Sequence, residues 1–138
     1  MDQIRPNALA IIRKNDLILA AKGTDKNTGK VFYRLMGGGI GFGELASETL
    51  KREFKEELNA TVINEVFLCI IENVFEFNSQ KKHEITFLFK ADLKEDSLYK
   101  QEQIAVLDKD DYYAEWIPVE GVKSGDLIVY PKETVNFL

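Results

Sequence analysis

Apolar residues come in short runs separated by turn residues through the first third of the chain. Leu9, Ala10, Ile11 and Ile12 form one run and residues 17–21 the next. Lys14-Asn15-Asp16 lies between them, and that order predicts a β-hairpin. Residues 24–30 are polar and carry Gly29, a loop, after which residues 31–35 have the branched and aromatic content of another strand. From 46 to 58 there is neither Gly nor Pro, and Ala46, Leu50, Phe54 and Leu58 recur every fourth residue. This spacing predicts a helix with one buried stripe. Residues 66–71 are apolar on both faces, as a strand in the middle of a sheet would be. Beyond a polar loop at 78–82, Ile85, Phe87, Phe89 and Ala91 alternate with Glu84, Thr86 and Lys90, which predicts a half-buried strand. Residues 112–117 read as one more strand, and Pro131 can open a short closing helix. The sum is a mixed β-sheet flanked by helices, an α/β or α+β sandwich.

Composition changes this picture only by exclusion. A chain of 138 residues, 45% hydrophobic and 30% charged, has the make-up of one soluble domain, taken here as 1–138. No apolar run approaches the roughly 20 residues of a membrane helix, so a cytoplasmic protein is expected. Cys69 stands alone within an apolar run and is expected to be inert core, and His83 is the single histidine. Any metal would therefore be held by oxygen. A net charge of -5 speaks against polymeric nucleic acid as a partner. It leaves room for a small phosphorylated ligand brought in with a cation.

Candidate chemistry is concentrated between 37 and 60. Gly37, Gly38, Gly39, Gly41 and Gly43 form a glycine-rich segment whose backbone a ligand can approach closely, and phosphate is the usual reason for one. Gly37, Gly38 and Gly39 are accordingly candidate substrate contacts, with Arg34 just before them. Glu44 stands where a nucleotide-binding P-loop needs Lys, and the G-x-G-x-x-G pattern also fails, at Phe42 and Glu44. On the helix that follows, Glu53, Glu56 and Glu57 project from one side within about one turn, and Glu57 overlaps the apolar stripe. Three converging carboxylates at the edge of a core need a counter-charge, and hard oxygen ligands suit magnesium, with manganese as a substitute. Acidic runs on helices are usually solvated faces, and Lys51, Arg52 and Lys55 can offset these glutamates locally. The spacing Gly38, five residues, Glu44, seven residues, Arg52-Glu53-Phe54, one residue, Glu56-Glu57 is too specific for that reading alone.

In this spacing the chain resembles the Nudix hydrolases (MutT-like domain), whose box continues with one residue, a glycine and an apolar residue. Asn59 replaces that glycine, and Asn is the next most comfortable residue in the left-handed conformation of a helix C-terminus. The resemblance implies the Nudix fold and cleavage of a nucleoside diphosphate linked to another moiety: a nucleotide sugar, a dinucleotide or a nucleoside triphosphate. It implies Glu53, Glu56 and Glu57 as catalytic residues and ligands of Mg2+ (or Mn2+), with Glu44 and Arg52 completing the catalytic set. Arg52 is expected to orient a glutamate such as Glu44 rather than to clamp phosphate. A box glutamate, or a later carboxylate among Glu84, Glu102 and Glu115, is the general base. Tyr33 and Arg34 alternate, so at most one faces the site. His83, Glu72 and Asn73 are open between pocket and surface, and Trp116 is read as core. The partner is a nucleotide-derived small molecule, and a homodimer is compatible with the sequence. The alternatives are a non-catalytic Nudix-fold nucleotide-sensing module, which should have lost box glutamates, and a prenyl diphosphate isomerase, which would want a catalytic cysteine near the pocket.

Overall fold

The computed structural model describes residues 2–138. Asn15, at φ 53°, takes the left-handed conformation that a two-residue turn requires, and it joins β1 (Ile4–Lys14) to β2 (Leu17–Thr24) in the expected hairpin. β3 (Val31–Gly39) runs on through the first glycines, and α1 (Ala46–Leu58) follows. Next come β4 (Val62–Phe77) and β5 (Gln80–Leu93), then the short β6 (Gln103–Ala105) and β7 (Tyr113–Pro118). α2 (Val119–Ser124) and the two-residue β8 (Val129–Tyr130) complete the elements, with 3-10 turns at Asp96–Lys100 and Lys132–Phe137. The strand order is β4-β5-β1-β3-β2-β7-β6, with β8 added on β3. β1 runs parallel to β5 and antiparallel to β3, so the sheet is mixed.

β1 lies inside the sheet, between β5 and β3, and its residues from Asn7 to Ile12 are all buried. Alternate side chains divide between two clusters. Ala8, Ala10 and Ile12 join Leu50, Phe54 and Leu58 of α1, whereas Leu9 and Ile11 join Ile18, Ile117, Val119 and Val122 on the other face. Ala8, Ala10 and Ala21 are small, which lets α1 lie close on the strands. The expected sandwich of helices around a mixed sheet is what forms.

Four local expectations are corrected. Residues 66–71 lie in β4 at the edge of the sheet, where Val66, Phe67 and Ile70 are each about half exposed. Irregular register between Ile63 and Val66, and again between Phe67 and Cys69, twists this edge away from regular pairing. Apolarity on both faces permits a central place but does not compel one. Cys69 is accordingly only partly covered rather than core, and burial pushes its thiol pKa up. The polar loop at 78–82 shrinks to a turn at Asn78 and Ser79, both at positive φ, with β5 starting at Gln80. The closing helix is a 3-10 turn that Pro131 precedes rather than opens.

Candidate active site

α1 is fixed at both ends by its own sequence. The Glu48 carboxylate accepts the Leu45 N–H at 2.8 Å, half of a capping box. Asn59 closes the helix in the left-handed conformation (φ 51°, ψ 39°) and returns its N–H to Lys55 O. The strand before the helix holds the glycines to a different purpose from the one their sequence suggested. Gly37, Gly38 and Gly39 are not loop but the end of β3, paired with Leu9, Ala8 and Asn7. A Cβ on Gly37 would lie 2.0 Å from Ala8 O, and one on Gly38 would lie 2.3 Å from the Glu53 carboxyl carbon. The missing side chains let the helix glutamate rest against the strand.

Arg52 ties the first half of the site together. Its Nε donates to Glu44 Oε2 at 2.7 Å and its Nη2 to Glu44 Oε1 at 2.9 Å. Nη2 also reaches Gly39 O at 3.3 Å, while Nη1 donates to Glu53 Oε1 at 2.9 Å and Glu56 Oε2 at 3.2 Å. Glu44 accepts two further bonds, from the Gly41 N–H and the Thr49 hydroxyl. The Arg52 bonds first, then those from Gly41 and Thr49, hold the Glu44 carboxyl down at about 2. The guanidinium's own pKa rises in return.

Glu57 is in the opposite condition. Burial first, then its hydrogen bond with Glu53 and the charges of Glu53 and Glu56, push its carboxyl up to about 7, against a smaller pull from Lys109. The overlap of Glu57 with the apolar stripe is the cause. Three carboxylates on one side of a helix offer hard oxygen ligands and carry clustered negative charge, so the chemistry of Glu53, Glu56 and Glu57 fits magnesium or manganese. Among the described residues no three acidic, histidine or cysteine side chains are gathered around one point, and Arg52 bonds one oxygen each of Glu53 and Glu56.

A chamber of about 600 Å³ opens among residues of β1 to β5, β8 and the loop before β7. Phe32, Phe75, Phe77 and Tyr130 line it, with Phe75 and Tyr130 stacked at 6.3 Å and Phe32 edge-on to Phe77 at 5.6 Å. At its polar side Arg34 Nη2 spans both oxygens of the buried Glu84, at 2.9 and 3.0 Å. Tyr33 points the other way, into the cluster that contains Ile117, with Glu115 beside it. Of the later carboxylates, Glu84 lines the chamber while Glu102 and Glu115 do not. Asn73 lines a smaller cavity next to Arg34 and Glu84. His83 and Glu72 meet each other at 3.4 Å away from the chamber. Trp116 packs at the rim of the core, stacked on Tyr99 at 5.4 Å.

Chain residues 107–112 link chamber and helix, and sequence reasoning missed them. The Leu107 N–H donates to Glu57 O at 2.7 Å, and Val106 and Tyr112 close the loop at 2.9 Å. Lys109 and Tyr112 both line the chamber; the charge of Lys109 acts on Glu57, and that of Glu57 on Tyr112. Nothing in an acidic loop that ends on a tyrosine marks it as part of a site. The aromatic wall left a weaker signal, the alternation of Phe75 and Phe77 in β4.

Residues 3–134 match the NUDIX domain model. No protein of curated function matches the sequence. Among solved structures the chain is similar to a MutT NUDIX hydrolase from Burkholderia pseudomallei, at 19% identity and TM-score 0.64 over 86% of each chain. It is similar also to a MutT protein from Bacillus halodurans, at 21% identity and TM-score 0.65 over 97% of this chain and 80% of that one. A NUDIX hydrolase from Nitrosomonas europaea aligns at 16% identity and TM-score 0.65 over 94% of this chain and 82% of that one. These likenesses share the fold, and the match of the domain model over nearly all of the chain shows that it belongs to the NUDIX family of hydrolases.

Proposed function

We propose that this protein is a magnesium-dependent hydrolase that cleaves the pyrophosphate bond of a nucleoside diphosphate linked to another moiety: a nucleotide sugar, a dinucleotide or a nucleoside triphosphate. Nudix hydrolases generally act on nucleoside diphosphate derivatives and use divalent metal ions. The observation that carries the reading is the junction of Glu53, Glu56 and Glu57 with an aromatic-walled chamber through Lys109 and Tyr112. In this reading the three glutamates hold Mg2+, for which Mn2+ can substitute. When bound, the ion supplies positive charge to a pyrophosphate and acidifies a water. The remaining work belongs to the chain. Arg52 fixes Glu44 and Glu53 against the strand, so the glutamates are presented from a rigid base. Gly38 leaves room for Glu53 at the strand, and Gly37 and Gly39 keep the neighbouring backbone free of side chains. Phe75 and Tyr130 offer flat faces to a nucleobase, and the Arg34–Glu84 pair offers donors and acceptors to its edge. The same reading takes 1–138 as a single catalytic domain working in the cytoplasm, alone or as a homodimer, and no helix is long and apolar enough to cross a membrane among the described residues.

The test is a panel of nucleotide sugars, dinucleotides and nucleoside triphosphates with magnesium or manganese, with the products identified and hydrolysis run in 18O-labelled water. The expected result is cation-dependent cleavage at phosphorus with label in a phosphate product. Absence of cleavage across the panel with either ion, or cleavage unaffected by chelation, would overturn the proposal.

A further inference from the structure

The chain carries a net charge of -5, yet the side chains that line its chamber are biased the other way. Five cations face it, Arg5, Lys30, Arg34, Lys82 and Lys109, against three anions, Asp25, Glu76 and Glu84. Two of the anions are already spent. Glu84 is paired with Arg34, and the Asp25 oxygens accept backbone N–H groups of Asn27, Thr28 and Asn78. Arg5 and Lys109 make no side-chain hydrogen bond to an acceptor and no ion pair among the described residues.

Their positions bracket the carboxylate cluster. Arg5, on β1, brings Nη2 to 3.8 Å from where a Cβ on Gly39 would stand, and the Gly39 carbonyl accepts from Arg52. Lys109 sits on the loop clipped to α1 at the Glu57 carbonyl, with Nζ 4.7 Å from the centre of the Tyr112 ring. Two cations that make no ion pair, from separate parts of the fold, therefore line one chamber, Arg5 near Gly39 and Lys109 on the loop bonded to Glu57 O. Cations held without partners on a concave wall favour a ligand with clustered negative charge, and phosphates satisfy both.

We propose that Arg5 and Lys109 are a phosphate-holding pair, which grips phosphate groups of the substrate on the chamber side of the carboxylate cluster and does so without a metal ion. The proposal rests on the nucleotide-hydrolase reading for the identity of the anion, but its test does not need turnover. Both side chains are exposed, so truncation spares the core.

Binding of ADP is measured by calorimetry in excess EDTA for the wild type, Arg5→Ala, Lys109→Ala and Lys109→Arg. Lys123→Ala, exposed on α2, controls for a general loss of charge. Each alanine variant should raise Kd about tenfold, the scale of one charge-assisted hydrogen bond, while Lys109→Arg stays near wild type. With magnesium and a substrate that turns over, the same alanine variants should raise KM more than they lower kcat. The pair is refuted if wild type does not bind ADP at millimolar concentration without metal, if both alanine variants bind within about twofold of wild type, or if Lys123→Ala weakens binding equally. Metal-free binding lost in both alanine variants, with no hydrolysis of any nucleotide by wild type, would keep this site and remove the proposed function. Hydrolysis with unchanged ADP binding in both variants would do the reverse.

Discussion

Glu44, just before α1, and Glu57, in its last turn, are the same residue type, and their environments drive them apart. Glu44 accepts bonds from Arg52, Gly41 and Thr49, and its carboxyl is held down at about 2. Glu57 lies half under the core edge beside two other carboxylates, and its carboxyl is pushed up to about 7. The difference teaches which carboxylate is spent and which is available. A saturated carboxylate organises its neighbours, whereas one that shares a proton with like charges has unmet demand for a cation. Arg52 joins the two regions, since the guanidinium that holds Glu44 also donates to Glu53 and Glu56, the carboxylates beside Glu57.

The comparison can be broken most severely from beneath. Phe54 is fully buried between the two regions and docks α1 on the sheet. Phe54→Ala should cost roughly 3 to 5 kcal/mol, read from denaturant unfolding, and a loss below about 1 kcal/mol would show that the helix docks without it. Next in size is turnover. Glu56→Gln and Glu57→Gln should each lower kcat at least about a hundredfold, the scale of removing a charge-stabilising group. Near wild-type rates in both would make this end of the helix structural.

Stability against pH sharpens the contrast without any substrate. A carboxyl raised to about 7 in the folded protein binds a proton that the unfolded chain releases near 4.5. Its contribution is therefore present below about pH 4.5 and is lost as pH rises through 7. In EDTA, wild type should lose about 2 kcal/mol of stability across that window once solvent screening is counted, and Glu57→Gln should remove the slope. A variant with the same pH profile as wild type would place the proton elsewhere. Glu44 works in the other direction: its stabilisation is present above about 4.5 and disappears as pH falls towards 2.

The smallest effect is a matter of sign. Without metal, Glu44→Gln should lower the melting temperature by loosening Arg52, while Glu57→Gln should leave it equal or higher. Magnesium should raise the melting temperature of wild type and do much less for Glu57→Gln. Equal shifts in both proteins, or a Glu57→Gln variant clearly less stable in EDTA, would reduce Glu57 to an ordinary structural carboxylate.

The sequence by itself determined α1, its register and its ends, since Leu50, Phe54 and Leu58 define the buried stripe and Asn59 the stop. It also determined that Glu53, Glu56 and Glu57 share a side and that Glu57 overlaps the stripe. All of these are relations within about four turns of helix, where periodicity alone fixes which side chains are neighbours. Tertiary structure decided the rest. It put β1 inside the sheet and β4 at its edge, because strand order comes from pairing between residues far apart in sequence and two apolar runs can compete for one place. It turned Gly37 and Gly38 into room for Ala8 O and Glu53. It brought Arg5, Arg34, Glu84 and Lys109 to one chamber from points more than a hundred residues apart at the extremes. Charge and burial at a site are summed over everything packed around it, and that sum has no local signature in the chain.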